Sequence, residues 1–360
     1  QSRSSAASDV YKRQSLGSYQ KVYRTNALKA AKSADAAFAA DQRIGPFHGV
    51  PFALKDIYDL AGHITTYGSW EMRDRVSSRT GSIAKRLLDA GGILLGKTKT
   101  VECALGGWGT NQHMGTPRNP WDLDHERVPG GSSSGSGVAV ASGMAMCATG
   151  SDTGGSIRLP AAYCGLTGLK VSKTCLPTDG IMPLSNTLDT PGPMARSVAD
   201  LTLMFAVMSG VPSADIDRDM DAAAGLFDSK LSILQGLKVG VLDTVERQVC
   251  SSDMLKSYDA ALDVLGSLGA ELEIFKAPVP YREMANANGV ITIYEGYLHH
   301  HALHEDPQKK MDPNVRKRIL TGRDMTAKIH EERLQKRQRD QVDFALAMKG
   351  LNTLVTPTLI

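Results

Sequence analysis

The chain lacks the features of a membrane protein and of a disulfide-stabilised one. Its 360 residues contain no run of about 18 apolar residues, so the sequence predicts no transmembrane helix. Its five cysteines are scattered, with no CxxC pair and no Cys/His cluster at metal-binding spacing. Such cysteine usage is typical of a reducing compartment and predicts a cytoplasmic protein without a metal site.

A strong charge of either sign is also missing. Lys and Arg together number 41 and Asp and Glu 38, which leaves a formal net charge of +3. This balance argues against nucleic acid or an anionic membrane as the main partner. With 42% hydrophobic and 22% charged residues, the composition is ordinary for a globular protein.

The two ends of the chain differ from the rest. The first residues show no apolar periodicity, and Asp9–Gln14 resembles the translation of a transposon end used in DNA library preparation. We therefore expect a non-native or disordered leader over residues 1–14. The chain stops just after an apolar strand-like segment, Leu354–Pro357, so we expect a single domain over residues 15–360 that is incomplete at both ends. Evidence about a signal peptide would be lost with the missing start.

Strand-like and helix-like segments alternate along the chain, which predicts an α/β fold with a mainly parallel sheet. Strands are predicted over 49–54, 93–97, 147–150, 237–242 and 270–275. Helices are predicted over 28–41, 81–90, 138–146, 197–208, 254–268 and 324–349. The segments 115–137 and 171–193 are predicted to be loops.

The first segment that indicates chemistry is Ser151–Arg158, in which Ser156 follows two glycines. Two glycines before a serine allow successive backbone N–H groups to point at one spot. Such donors stabilise the oxyanion of an acyl-transfer transition state, which makes Ser156 a candidate nucleophile. A plain glycine turn with a solvated serine is the alternative that this segment alone leaves open.

A second serine, Ser132, lies in the glycine- and serine-rich segment Gly130–Gly137. No lysine follows the glycines there, so the segment is not a phosphate-binding loop. Gly131–Gly135 fits the pattern of a nucleophile elbow, but the charged residues before Pro129 do not form the strand that an elbow requires. A flexible linker stays open as an alternative.

A third candidate, Lys55, follows the apolar strand-like segment Val50–Leu54. A lysine at the end of a buried strand loses solvation, which lowers its pKa and makes the neutral amine available as a base. The alternative is an ordinary ion pair between Lys55 and Asp56 or Asp59.

Three other segments are interpreted as structural. Ser82 and Lys85 match an S-x-x-K signature, but Lys85 lies on the polar face of an amphipathic helix and no K-T-G strand follows. Cys164 has no base at matching spacing, which favours a packing role. Consecutive residues cannot share one helix face, so His299–His301 are expected at the surface or a pocket edge and not around a metal.

Lys55, the Gly-Gly-Ser-Ser block and the Asp-Thr-Gly-Gly-Ser-Ile-Arg segment occur in this order, and together they resemble the amidase signature family. The resemblance runs from about Leu28 to Thr358 and is densest over Gly45–Arg196. It implies an α/β amidase signature fold, with a large, twisted, mainly parallel mixed sheet flanked by helices on both faces. It also implies a serine hydrolase without metal or cofactor.

The resemblance implies a role for each residue of these segments. Ser156 would be the acylated nucleophile, Ser132 the bridging serine after a cis peptide, and Lys55 the base. The oxyanion hole would be formed by the N–H groups of Thr153, Gly154, Gly155 and Ser156. Supporting positions would be Gly131, Ser133, Asp152 and Arg158, and the substrate pocket would include Ala104, Gly106 and Trp108.

We therefore expect a stand-alone amidase that converts a small linear carboxamide into an acid and ammonia or an amine. The related glutaminase component of a tRNA-dependent amidotransferase typically carries a Leu-Ala-Arg-Phe-Asp-Gly-like segment and a tyrosine-rich stretch, and neither is present in Tyr294–His301 or Arg316–Met325. Such a glutaminase (A-type) component and a catalytically silent docking module stay open as alternatives. The expected partner is a small-molecule amide, and a homodimer is left open.

Overall fold

The computed structural model describes residues 14–212, 214–216 and 233–358. The leader expected over residues 1–14 lies outside these described residues, except for Gln14. The chain divides into two compact units, Gln1–Met220 with Thr292–Asp324 and Asp221–Ile291 with Met325–Ile360. The expectation of a single domain over residues 15–360, incomplete at both ends, stays a prediction.

The first unit is built on a six-stranded mixed sheet. Its strands are β1 Tyr19–Val22, β2 Pro51–Lys55, β3 Ile93–Thr98, β4 Cys147–Asp152, β5 Thr167–Gly168 and β6 Thr190–Ala195. Their order is β1-β3-β2-β4-β6-β5, in which β2 is parallel to β3 and β4 and the other pairs are antiparallel.

The second unit contains a three-stranded parallel sheet. Its strands are β7 Lys238–Leu242, β8 Glu271–Phe275 and β9 Thr353–Leu354, in the order β8-β7-β9. The α-helices of the described residues are α1 Arg24–Ala39, α2 Ser82–Asp89, α3 Ser134–Ala141, α4 Arg158–Tyr163, α5 Val198–Ser209, α6 Thr244–Arg247, α7 Ser252–Ser267, α8 Tyr281–His304, α9 Pro313–Leu320 and α10 Ala327–Ala347.

Helices cover both faces of the six-stranded sheet because alternate residues of β2 enter different cores. Phe52 and Leu54 pack in one core with apolar residues of α2 and α5, whereas Ala53 packs in another with residues of α1 and α3. Every residue of β2 is buried, as is typical of a strand covered on both sides. The expected α/β class, with a mixed and mainly parallel sheet flanked by helices, is confirmed.

Two segments predicted to be loops contain regular structure. The helix α3 begins at Ser134, inside the predicted loop 115–137, and it ends at Ala141 rather than at residue 146. The strand β6 lies partly within the loop predicted to end at Pro193. Proline lacks the N–H that a sheet ladder uses, so Pro191 and Pro193 made this strand look like a loop. It nevertheless pairs with β4 along its whole length.

Candidate active site

Lys55 is the last residue of β2, and it is completely buried. Its Nζ lies 2.8 Å from Ser132 Oγ and 2.8 Å from Ser151 Oγ. Its backbone N–H donates to Thr149 Oγ1 at 2.9 Å. Because β2 and β4 are parallel neighbours, their carboxyl ends bring Lys55 and Ser151 together.

The environment of Lys55 favours the neutral amine. Burial lowers the pKa of Lys55 from 10.5 to about 7, although the carboxylates of Asp189 and Asp152 act in the opposite direction. A lysine with such a pKa exchanges protons near neutral pH, as a general base must.

The ion pair considered as an alternative for Lys55 is not formed. Asp56 pairs with the buried Lys97, whose Nζ lies 2.9 Å from Asp56 Oδ1. Asp59 pairs with Arg75 at 2.8 Å. Both carboxylates that follow Lys55 therefore have other cationic partners.

Ser132 lies two residues before α3 and is completely buried. The Gly131–Ser132 peptide is cis, as the resemblance implies. A Cβ atom on Gly131 would lie 2.6 Å from both Gly106 O and Gly109 N, so only glycine fits at this position. This buried and closely packed segment is not a flexible linker.

Ser133 ties the segment before α3 to β4 and to the turn that follows it. Its N–H donates to Ser156 O at 3.3 Å, and its hydroxyl donates to the same carbonyl oxygen. The Ser151 N–H donates to Ser133 Oγ at 3.3 Å. The backbones that carry Ser132, Ser151 and Ser156 are therefore joined through one side chain.

Ser156 lies in the turn between β4 and α4, and it is 8% exposed. Among the described residues its hydroxyl makes no hydrogen bond, so the expected contact between Ser156 and Ser132 is not formed. Catalytic hydrogen bonds are often long in free enzymes and shorten only with substrate bound. The structure thus forms the Lys55–Ser132 half of the expected relay and leaves the Ser156 half open.

Asp152 holds the turn that carries Ser156. Its buried carboxylate accepts from the N–H groups of Gly155 at 2.8 Å and Ile157 at 3.1 Å. Two further bonds, of 3.0 and 2.9 Å, join it to the Arg158 guanidinium. Burial alone would raise the pKa of Asp152, but Arg158 and the backbone donors hold it below its usual value. These contacts fit the supporting positions expected for Asp152 and Arg158.

The backbone of the turn offers fewer oxyanion donors than expected. The Gly155 N–H is engaged by Asp152 Oδ1, so the structure does not direct it towards a substrate. No acceptor is found within the described segments for the N–H groups of Thr153, Gly154 and Ser156. A Cβ on Gly154 would meet nothing within 4 Å, so the space beside this residue is open. The donors left for an oxyanion are those of Thr153, Gly154 and Ser156.

A cavity of about 270 Å³ lies beside these residues, and Ala104, Ser151 and Thr153 line it. Ala104 was expected to lie in the substrate pocket, and this position fits that role. Because Ser151 also contacts Lys55, the cavity reaches the neighbourhood of the buried amine.

The structure does not place Gly106 and Trp108 in this cavity. The Gly131 N–H donates to Gly107 O at 2.7 Å, which fixes the loop against the segment that carries Ser132. The Trp108 side chain is left on the outside, and the residue is 64% exposed. The apolar pocket floor expected from Trp108 is therefore not formed by this side chain.

Sequence reasoning missed Ser151 and Asp189. The Asp189 carboxylate accepts from the Leu184 N–H at 2.7 Å, from the Ser185 N–H at 3.0 Å and from the Thr153 hydroxyl. Asp189 thereby connects the cavity wall to the turn that carries Ser156. No local motif marks either residue, because both act through contacts between distant segments.

Two side chains of α8 hold the same wall of the cavity. Glu295 accepts from the Thr187 N–H at 3.0 Å and from the Thr187 hydroxyl at 2.6 Å. His300 is buried, and its Nε2 lies 2.8 Å from Pro183 O. His299 and His301 are exposed, and the part of the chain that the structure describes contains no group of His, Cys, Asp and Glu side chains able to hold a metal ion.

The remaining candidates have structural surroundings. Cys164 is completely buried with Sγ 3.4 Å from Pro129 O, and burial raises the pKa of its thiol to about 12. Lys85 is exposed and pairs with Asp89 on the surface of α2. None of the helices in the described ranges combines the length and hydropathy that a bilayer span requires.

The sequence matches a known protein family and several characterised relatives. A family model described as Amidase matches residues 7–360. The 2-amino-5-chloromuconic acid deaminase of Comamonas testosteroni is 34% identical over 353 residues, which cover 96% of this chain and 72% of that protein. The A-type component of the glutamyl-tRNA(Gln) amidotransferase of Thermobifida fusca (strain YX) is 37% identical over 253 residues, which cover 70% of this chain and 50% of that protein.

Solved structures show the same fold. A crystal structure described as an amidase superimposes with a TM-score of 0.85 at 27% identity, covering 99% of this chain and 79% of that one. The peptide amidase PAM in complex with the competitive inhibitor chymostatin gives a TM-score of 0.78 at 25% identity, covering 99% of this chain and 82% of that one.

Proposed function

The chain belongs to the amidase family and hydrolyses amide C–N bonds, and we propose that Ser156, Ser132 and Lys55 carry out this reaction. The observation that supports the proposal most directly is the 2.8 Å contact between the buried Lys55 Nζ and Ser132 Oγ. An amine with a pKa of about 7, next to a hydroxyl and close to an accessible second serine, has the chemistry of a general base for acyl transfer.

In the proposed first step, Ser156 Oγ attacks the carbonyl carbon of the amide. Its proton passes to Ser132 while the Ser132 proton passes to the neutral Lys55 amine. The N–H groups of Thr153, Gly154 and Ser156 stabilise the negative charge that develops on the carbonyl oxygen. The C–N bond then breaks, and the proton returns along the same path to the leaving nitrogen.

In the proposed second step, water attacks the acyl ester on Ser156. The same base accepts the water proton, the ester C–O bond breaks, and Ser156 regains its proton as the acid departs. Every proton in this scheme moves between residues of the chain, the substrate and water, so the proposal includes no cofactor.

The test is the release of ammonia from a panel of small linear carboxamides by the wild-type chain. We expect turnover of at least one amide, with loss of turnover in the Ser156→Ala variant. The Ser257→Ala variant is the matched control, because Ser257 is exposed on α7 in the second unit. Turnover that survives unchanged in Ser156→Ala would refute the assignment.

Similarity to the A-type component of glutamyl-tRNA(Gln) amidotransferases supports a second candidate, a glutaminase that works within such a complex. Ammonia release from glutamine, measured alone and with candidate partner proteins, distinguishes the two. A silent docking module is less well supported because Lys55, Ser132 and Ser156 are all retained. We also propose a cytoplasmic location from the five free cysteines, and a homodimer stays a prediction.

A further inference from the structure

The cavity beside Ser151 and Thr153 carries an excess of positive charge. Its charged lining residues are Arg79, Lys173 and Asp189. All of them belong to the first unit, which also carries the candidate catalytic residues. Whether the cavity attracts an anion depends on how far each of these charges is already satisfied by the protein.

The single negative charge, on Asp189, is already stabilised by the protein. Its Oδ1 accepts from the Thr153 hydroxyl, and its Oδ2 accepts from the N–H groups of Leu184 and Ser185. Three donors therefore occupy both carboxylate oxygens, which leaves Asp189 little capacity to bind a ligand cation.

The Lys173 ammonium is partly engaged. Its Nζ donates to Asn186 O at 2.6 Å and to Asp189 O at 2.9 Å. An ammonium has three N–H donors, so one is left for a ligand. The two carbonyl contacts also fix the position of the ammonium at the cavity wall.

The Arg79 guanidinium is the less engaged cation. Within the described segments no hydrogen bond or ion pair of its side chain is found, and the residue is exposed. The nearby Asp179 carboxylate acts on it electrostatically, but that carboxylate accepts from the Ser82 N–H at 3.0 Å and hydroxyl at 2.8 Å. A guanidinium with unused donors is suited to a planar carboxylate.

We propose that this cavity binds the carboxylate end of a substrate whose other end carries the scissile amide. The substrate class is the monoamide of a dicarboxylic acid, with the amide at Ser156 and the carboxylate at Arg79 and Lys173. This inference rests on the proposed function, because Thr153 belongs both to the cavity wall and to the proposed oxyanion donors. Two cations beside one satisfied carboxylate favour an anionic acyl chain over a neutral one.

The first test compares ω-carboxy amides with neutral amides of equal length, for example glutaramate with pentanamide, together with succinamate and adipamate. We expect kcat/KM for the best carboxylate substrate to exceed that of its neutral counterpart by about tenfold or more. Arg79→Gln should remove most of this preference through KM and leave the neutral amide unaffected. Arg43→Gln is the matched control, because Arg43 is an exposed arginine that does not line the cavity.

Salt gives a second readout, since added ions screen an exposed cation. Raising the ionic strength should lower kcat/KM for glutaramate and not for pentanamide. Equal rates for the charged and neutral substrates, or an Arg79→Gln variant that slows both alike, would overturn the inference.

A binding measurement separates failure of this inference from failure of the proposed function. Calorimetry with glutarate and the Ser156→Ala variant requires no turnover. We expect binding that weakens about tenfold when Arg79→Gln is added. Binding of this kind without hydrolysis of any amide would retain the inference and refute the proposed function. Absence of binding, or binding that ignores Arg79, would overturn the inference.

Discussion

Lys55 and Ser132 are 77 residues apart in the sequence, yet Lys55 Nζ lies 2.8 Å from Ser132 Oγ. Neither residue is exposed to solvent. The contact joins the carboxyl end of β2 to the segment before α3, so it depends on the fold of the first unit. It gives a buried amine an immediate partner for proton exchange.

We predict that kcat/KM rises with pH through about 7 and then levels off. Burial lowers the pKa of Lys55 to about 7, so the amine is mainly protonated below that pH and mainly neutral above it. Only the neutral amine can accept a proton from Ser132. A pH–rate profile measures this dependence.

A flat pH profile would show that another group is the base. Lys55→Met should lower kcat by orders of magnitude, since the relay then has no acceptor. Lys85→Ala is the matched control, because Lys85 is exposed on α2 and pairs only with Asp89. A normal rate in Lys55→Met would also contradict the assignment.

Ser151 is predicted to position the Lys55 amine. Ser151→Ala removes one of two hydroxyl groups that lie 2.8 Å from Lys55 Nζ, and we expect kcat to fall about tenfold. The apparent pKa of the pH–rate profile should also shift, which a purely structural role would not cause. Ser151→Thr keeps a hydroxyl and should restore most of the activity. Unchanged kcat and unchanged apparent pKa in Ser151→Ala would exclude this role.

Asp152 is predicted to stabilise the fold as well as the turn that carries Ser156. Asp152→Asn weakens the ion pair with Arg158, so we expect the free energy of unfolding to fall by about 2–4 kcal/mol at neutral pH. The folded-state pKa of Asp152 lies below its usual value, so its stabilisation is present above about pH 4 and is lost as the pH falls through that lower value.

Urea unfolding of the wild type and Asp152→Asn at several pH values checks this prediction. The difference between the two proteins should be largest near neutral pH and should shrink in acid. Asp74→Asn is the control, because the Asp74 side chain is 84% exposed. A difference between wild type and Asp152→Asn that stays constant with pH would contradict the linkage.

The packing around Gly131 is predicted to admit no side chain. A Cβ there would lie 2.6 Å from backbone atoms of Gly106 and Gly109, so Gly131→Ala should displace this backbone and abolish activity. Gly266→Ala is the control, since a Cβ at Gly266 meets nothing within 4 Å and alanine favours a helix such as α7. Activity assays and thermal unfolding of both variants decide the matter, and an active Gly131→Ala variant would contradict the packing argument.

The sequence predicted those parts of the site that lie in short segments. Lys55 is carried by an apolar strand, and Asp152 and Arg158 flank the Gly-Gly-Ser turn that they hold together. In each case the determining interactions are local, namely strand burial, glycine conformation and contacts within a few residues. The order of these segments then carried the resemblance to the family.

The sequence did not predict the cavity wall, because its contacts join distant segments. Glu295 holds Thr187 across 108 positions, and Asp189 accepts from Thr153 across 36. Pro191 and Pro193 concealed the strand β6. Trp108 was expected in the pocket because it is large and apolar, but the hydrogen bond that turns its loop outward has no sequence signal.

Covalent labelling of Ser156 is the most direct test of the acyl-enzyme. A fluorophosphonate should add one label per chain, and mass spectrometry should locate it on the peptide that contains Ser156. Ser257→Ala should be labelled like the wild type, whereas Ser156→Ala should not be labelled. Undiminished labelling of Ser156→Ala, or a label found on another residue of the wild type, would contradict the assignment of Ser156 as the nucleophile.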